Sequence, residues 1–98
     1  MMPSMVTIGM NYRVLPGKET IFERAFADVL TRLQSMPGHR QSRLYREVAE
    51  SKCYLILSEW ASREDFDAFV RSPEFARVVR WGSENVLAER PHHEIFEH

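Results

Sequence analysis

The sequence predicts an α+β fold, a ferredoxin-like βαββαβ arrangement with an antiparallel sheet and its helices on one face. Three observations carry that expectation. The run Cys53–Trp60 has apolar residues at odd and even positions alike, the pattern of a strand buried on both faces and therefore central in its sheet. Two helix starts follow it at once, Ser62 and then Ser72-Pro73-Glu74. Along the 98 residues the periodicities change in the order strand, helix, strand, strand, helix, strand.

Met5–Val14 alternates cleanly, with Val6, Ile8, Met10, Tyr12 and Val14 on one face and Thr7, Gly9, Asn11 and Arg13 on the other. Gly9 marks a bulge or a close approach by another backbone. Pro16-Gly17 stops this strand. From Lys18 to about Ser35, Phe22, Phe26, Val29, Leu30 and Leu33 recur at helical steps, a helix of roughly 27 Å at 1.5 Å per residue. Met36-Pro37-Gly38 ends it. His39–Val48 is polar with Leu44, Tyr45 and Val48, an edge strand; the turn Ala49–Lys52 joins it in a hairpin to Cys53–Trp60. Ser62 caps a short helix with Phe66, Phe69 and Val70 on its apolar side, and Asp65 is placed to help its first turn. Ser72 caps the next, which Phe75, Val78 and Val79 continue until Gly82 ends or kinks it. Pro91–Phe96 is the fourth strand.

The chain reads as a single domain over residues 1–98, with residues 1–4 a frayed or disordered start. A net charge of −1 leaves no basic excess to hold a phosphate backbone, which argues against nucleic-acid binding. Cys53 is the one cysteine, so an intramolecular disulfide and a cysteine zinc site are excluded and a reducing cytoplasm is the expected compartment. No signal peptide and no membrane-crossing apolar run are read. His92 and His93 are neighbours in a strand, point to opposite faces and cannot share one ion; His98 is terminal and His39 is expected to be exposed, so no metal site is expected.

A single layer of helices leaves the other sheet face bare. If Tyr54, Ile56 and Trp60 face the helices, Cys53, Leu55 and Leu57 face outward, and a bare apolar sheet face marks an interface. The expected partner is a second copy of the chain, packed sheet to sheet. Glu59 lies beside that interface, suited to an arginine across it more than to acid–base work.

The string Ser58-Glu59-Trp60-Ala61-Ser62, with Phe66, Phe69 and Ser72-Pro73-Glu74-Phe75, resembles the antibiotic biosynthesis monooxygenase (ABM) family; the Pro16-Gly17 strand end and Met36-Pro37-Gly38 helix exit are similar too. The resemblance covers nearly the whole chain. It implies a dimeric α+β barrel, and a family that mixes cofactor-independent oxygenases of phenols and quinols, haem-degrading enzymes and members without established activity. Carried over position by position, the haem-degrading branch's tryptophan falls on Phe69 and its histidine on Val79, and neither matches. Its strand-one asparagine falls on Met10, one residue from Asn11, and one residue turns a side chain to the opposite face unless a bulge at Gly9 intervenes.

A cofactor-independent oxygenase needs a dry aromatic pocket, a group to ionise the substrate, and oxygen access. The slot between helices and sheet is the candidate, with Met10, Tyr12, Tyr54 and Phe69 binding the substrate and Asn11 and Trp60 as catalytic candidates, Trp60 orienting and Asn11 handling the proton. At these spacings the same aromatics also serve as plain core. Arg13, Arg43 and Arg46 suit an anionic substrate or simply solvent. Three functions remain in view: a monooxygenase of a phenolic or quinol compound needing no cofactor, a non-catalytic small-molecule-binding or stress-associated dimer, and a haem-handling protein without the usual triad.

Overall fold

A computed structural model describes residues 5–89 and 91–97, the side chains of His93 and Glu97 excepted. The expected frayed start at residues 1–4, and His98, lie outside the described residues. The elements are β1 (Val6–Arg13), α1 (Glu19–Leu33), β2 (His39–Arg46), β3 (Cys53–Trp60), α2 (Arg63–Val70), α3 (Pro73–Asn85) and β4 (His92–Glu97). They form one antiparallel sheet in the order β2-β3-β1-β4. The doubly apolar strand β3 is central and the polar strand β2 is at the edge, as the hydrophobic patterns predict. No helix among the described residues is long and apolar enough to cross a membrane.

Register decides which side chains meet. β1 pairs β3 through Val6↔Trp60, Met10↔Ile56 and Tyr12↔Tyr54, so the even-numbered residues of both strands share the helix side. That side carries two buried clusters. One gathers Val6, Ile8, Leu33, Trp60 and Phe66; the other gathers Val14, Phe22, Tyr54 and Val86. The odd-numbered residues form the open face, where Leu55 and Leu57 are half-buried and Phe96 is 48% exposed. Gly9 pairs in regular register with Leu57 and Glu94, so no bulge forms there. The register shift falls instead between His39 and Gln41, on the edge strand.

The helix signals work as local chemistry predicts. Ser62 Oγ accepts from Asp65 N at 3.2 Å and Ser72 Oγ accepts from Phe75 N at 3.2 Å, each satisfying one orphan donor of a first turn. Gly38, just beyond the α1 exit, holds φ at +83°, and a Cβ there would collide with the Asp65 carboxylate. Gly82 behaves differently from the expectation: α3 continues through it to Asn85. Its φ is not positive, and an added Cβ would meet only the Leu87 side chain at 3.5 Å, ordinary van der Waals distance. Helical hydrogen bonding tolerates glycine at an entropic cost, which here is not enough to break the helix.

Because Gly82 needs no special backbone, Gly82→Ala should stabilise the fold by about 0.5–1 kcal/mol in urea denaturation. Gly38→Ala should destabilise it by about 1–3 kcal/mol, from the left-handed backbone and the collision with Asp65. A neutral Gly38→Ala would contradict this account of the α1 exit.

Candidate functional site

The helices do not seal the sheet evenly. Above the second cluster lies an apolar slot of about 90 Å³, with Tyr12 and Phe22 below and Phe26, Val29, Phe75 and Val78 around it. It opens into a groove of about 720 Å³ between α1 and α3, and the two share Ala25, Val29, Val78 and Trp81. At the far end of the groove a small recess of about 40 Å³ includes Phe69, Arg32 and Ser72 on its walls.

Of the six residues the sequence singles out, only Tyr12 lines the slot. Tyr54 lies beneath it, 3% exposed, in a ladder of tilted rings: Tyr12–Phe22 at 5.2 Å and Phe22–Tyr54 at 4.8 Å between centroids. Trp60 belongs to the other cluster. It is 1% exposed, stacked on Phe69 at 5.5 Å and 29° and edge-on to Phe66 and His39. Its indole Nε1–H is buried without a hydrogen-bond partner among the described residues. Met10 packs against the Trp60 cluster and its sulfur accepts from the Tyr12 hydroxyl at 3.5 Å, joining the two halves of the core. Asn11 pairs with Leu55 and His92 on the open face, exposed and across the sheet from the slot. Asn11 and Trp60 are therefore not brought together. Phe69 and Val79, where the haem-degrading pattern has tryptophan and histidine, serve here as a stacking partner of Trp60 and a wall of the slot.

Two polar arrangements have no forerunner in the sequence patterns. Tyr54 donates to Glu23 Oε2 at 2.5 Å, and Arg46 Nη1 lies 3.9 Å from the same oxygen, tying α1 to β3 and β2. His39 Nε2 and Ser42 Oγ are 2.8 Å apart, as are Ser42 Oγ and Ser58 Oγ. His39, expected to be exposed, is half-buried because the register shift on β2 turns it toward Trp60. Burial pushes its pKa down, favouring the neutral ring. Burial likewise raises the Tyr12 hydroxyl from 10.0 to about 12, and burial, then the Glu23 carboxylate, raises Tyr54 to about 12. At neutral pH both phenols are protonated, so the Tyr12 hydroxyl is a donor and not a base, and its acceptor here is the Met10 sulfur.

The ABM family model, described as antibiotic biosynthesis monooxygenase, matches residues 5–81. The chain belongs to this family. A solved structure of SnoaB, a cofactor-independent oxygenase from Streptomyces nogalater, superposes with a TM-score of 0.82 at 22% identity, over 95% of this chain and 91% of that one. A conserved protein from Methanosarcina mazei Go1 gives a TM-score of 0.87 at 19% identity, over 96% and 92%. At these identities the likeness is one of fold. Among curated relatives, a chain of Haloarcula marismortui provisionally named a heme-binding protein is 39% identical over 87 residues, 89% of this ABM chain and 13% of its own length. A similarly named chain of Halobacterium salinarum shares the same identity over 18% of its length. The ABM chain thus spans less than a fifth of these relatives.

The slot does not fit a haem. It offers about 90 Å³, far below the roughly 300–1,000 Å³ of ordinary ligand sites, and among the described side chains neither histidine nor cysteine lines it. The described residues contain no group of three histidine, cysteine, aspartate or glutamate side chains placed to hold a metal ion.

The raised tyrosines make a testable signature. A phenol whose folded pKa exceeds its unfolded value of 10.0 contributes stability that is fully present below pH 10 and is lost as pH rises through about 12. Ultraviolet difference titration of the protein against Tyr12→Phe should show the missing phenol ionising near pH 12. The same substitution should flatten the decline in urea stability above pH 10 by up to about 2–3 kcal/mol. A Tyr12 titration near 10 would contradict its burial.

Proposed function

We propose that this ABM protein is a homodimeric, cofactor-independent monooxygenase of a small phenolic or quinol compound, which lies in the groove between α1 and α3 with one edge at the slot beside Tyr12. The observation that supports the reading is the apolar slot lined by Tyr12, whose phenol stays protonated. An electron-rich ring, once ionised, can pass an electron to oxygen itself. For an anthrone the balance is complete with oxygen alone: the activated CH₂ becomes C=O and the second oxygen atom leaves as water. Tyr12 releases its weak bond to the Met10 sulfur and donates to the substrate oxygenate, stabilising the anion that reacts. The slot supplies dryness, and the groove supplies the route for substrate and oxygen.

A second reading is favoured by one specific observation. Among the described side chains that line the slot there is no carboxylate or imidazole, so none of these takes the substrate's proton. A protein that only binds a small apolar molecule meets the same geometry without needing a group to take a proton. The heme-binding name of the curated relatives bears on chains of which this one matches less than a fifth.

Oxygen uptake with a panel of anthrones and 1,4-hydroquinones separates these readings. Turnover is expected, with Tyr12→Phe lowering kcat/KM on the order of 10- to 100-fold, the worth of a hydrogen bond to a charged acceptor. Saturable binding without uptake would support the second reading, and a Soret shift with stoichiometric haemin and no binding of the panel would favour haem handling.

The dimer has its own test. The open face carries Leu55, Leu57 and Phe96 around Gly9, and burying it against a second copy would remove that apolar surface from water. Light scattering at micromolar concentration should give twice the chain mass. Leu57→Glu should give a folded monomer, and a monomeric parent protein would defeat the proposal.

A further inference from the structure

The helix α3 covers the slot without gripping it. Along its length only Gly82 is buried, while Val79 is 42% and Trp81 39% exposed. Both ends are fastened. At the start, Ser72 Oγ donates to Phe69 O at 2.6 Å and accepts from Phe75 N. Just past the end, Leu15 N donates to Val86 O and Ala88 N to Arg13 O, each at 2.8 Å, and Val14 bridges Leu87. Between these anchors the helix body stands off α1 across the 720 Å³ groove.

The charges on the two banks of that groove are complementary in register. α1 presents Asp28 and Arg32, one helical turn apart, and α3 presents Glu74 and Arg77. The helices run antiparallel: Arg32 and Met36 share a recess with Ser72 and Glu74, while Phe22 and Ala25 share the slot with Trp81, Gly82 and Val86. That order sets Arg32 opposite Glu74 and Asp28 opposite Arg77. Neither pair is within ion-pair distance in this conformation, whereas Arg46 and Glu23 are.

We infer that α3 is a lid that closes onto α1, drawing Arg32 to Glu74 and Asp28 to Arg77 and sealing the slot beneath. The groove and the slot share Ala25, Val29, Val78 and Trp81, so narrowing the one shuts the mouth of the other. Trp81 moves from partial exposure into the closed seam. Gly82, in the body of the helix beside Trp81, is the residue whose backbone most readily absorbs the change. Exposed ion pairs each shift such an equilibrium by no more than about fivefold, which suits a lid that must also reopen. The inference goes beyond the proposed activity, since closure is a property of the chain whatever enters the slot.

The test therefore needs no ligand. Trp60 and Trp81 are the two tryptophans, and Trp60 is 1% exposed, so acrylamide quenching of indole fluorescence reports Trp81, with Trp81→Phe as the control that removes the signal. Arg32→Glu should lower the closed-to-open ratio by about two- to fivefold and raise quenching, and 0.5 M salt should do the same to the parent protein. The swap Arg32→Glu with Glu74→Arg should restore low quenching. The second swap, Asp28→Arg with Arg77→Asp, should likewise restore what Asp28→Arg alone loses. These sites are exposed, and far-UV circular dichroism verifies that each variant is folded. Quenching unmoved by Arg32→Glu and Asp28→Arg, or swaps that behave like their single variants, would overturn the lid.

Discussion

The antiparallel pairing of β1 with β3 is the constraint on which the rest depends. Its register puts Val6 opposite Trp60 and Tyr12 opposite Tyr54, and from that point parity decides everything on both strands. Even residues build the core and the floor of the slot; odd residues build the open face. One inserted residue in β1 would exchange the two sets. Gly9, the residue best able to host such an insertion, pairs regularly, so Asn11 stays with Leu55 on the open face. The chemistry available to the slot follows from that single fact: its polar group is a phenol on an even position and not an amide on an odd one.

Much of the fold was legible because its signals are local. The bounds of β3 and the two serine caps come from short stretches whose chemistry does not depend on distant partners. The site was less legible because it is made of distances between elements. Phe22, Phe26, Val29, Phe75 and Val78 line the slot, yet in the sequence they form ordinary helical stripes. A stripe that packs and a stripe that stands off have the same period. Trp60 shows the converse. Its position beside the family-like string drew attention to it as an orienting residue, and the structure surrounds it with Phe66, Phe69 and His39. Edge effects were hidden too: the register shift on β2 that brings His39 to Ser42 leaves no compositional trace.

The two ends of the core do different physical work. Around Trp60 the rings stack closely and the helix α2 is capped and short, which favours rigidity. Around Tyr12 the floor is equally firm, with Tyr54 held by Glu23, but the roof is α3, whose own apolar residues remain partly wet. A firm floor under a loose roof is the arrangement expected where something must enter, because opening then costs few buried contacts. Tyr12 and Met10 link the halves through one weak sulfur acceptor. A bound oxygen atom would outcompete that sulfur for the hydroxyl without disturbing either cluster.

Family membership narrows the chemistry less than the slot does. The ABM chain shares its fold with an oxygenase at 22% identity and matches chains named for haem at 39%, and neither transfers the name: the first is a likeness of fold, and the second spans under a fifth of those chains. What discriminates is the donor set. A haem site needs room and an axial ligand; the slot is small, and none of its described lining side chains is a histidine or cysteine. An oxygen-dependent reaction of an electron-rich ring needs no axial ligand; it needs exclusion of water, a donor held in its protonated state, and a way in. Burial supplies the first two together, since the same desolvation that dries the slot raises the Tyr12 pKa. The way in is the groove beneath α3, and a roof held by its ends with complementary charges facing across the gap can grant access and then withdraw it.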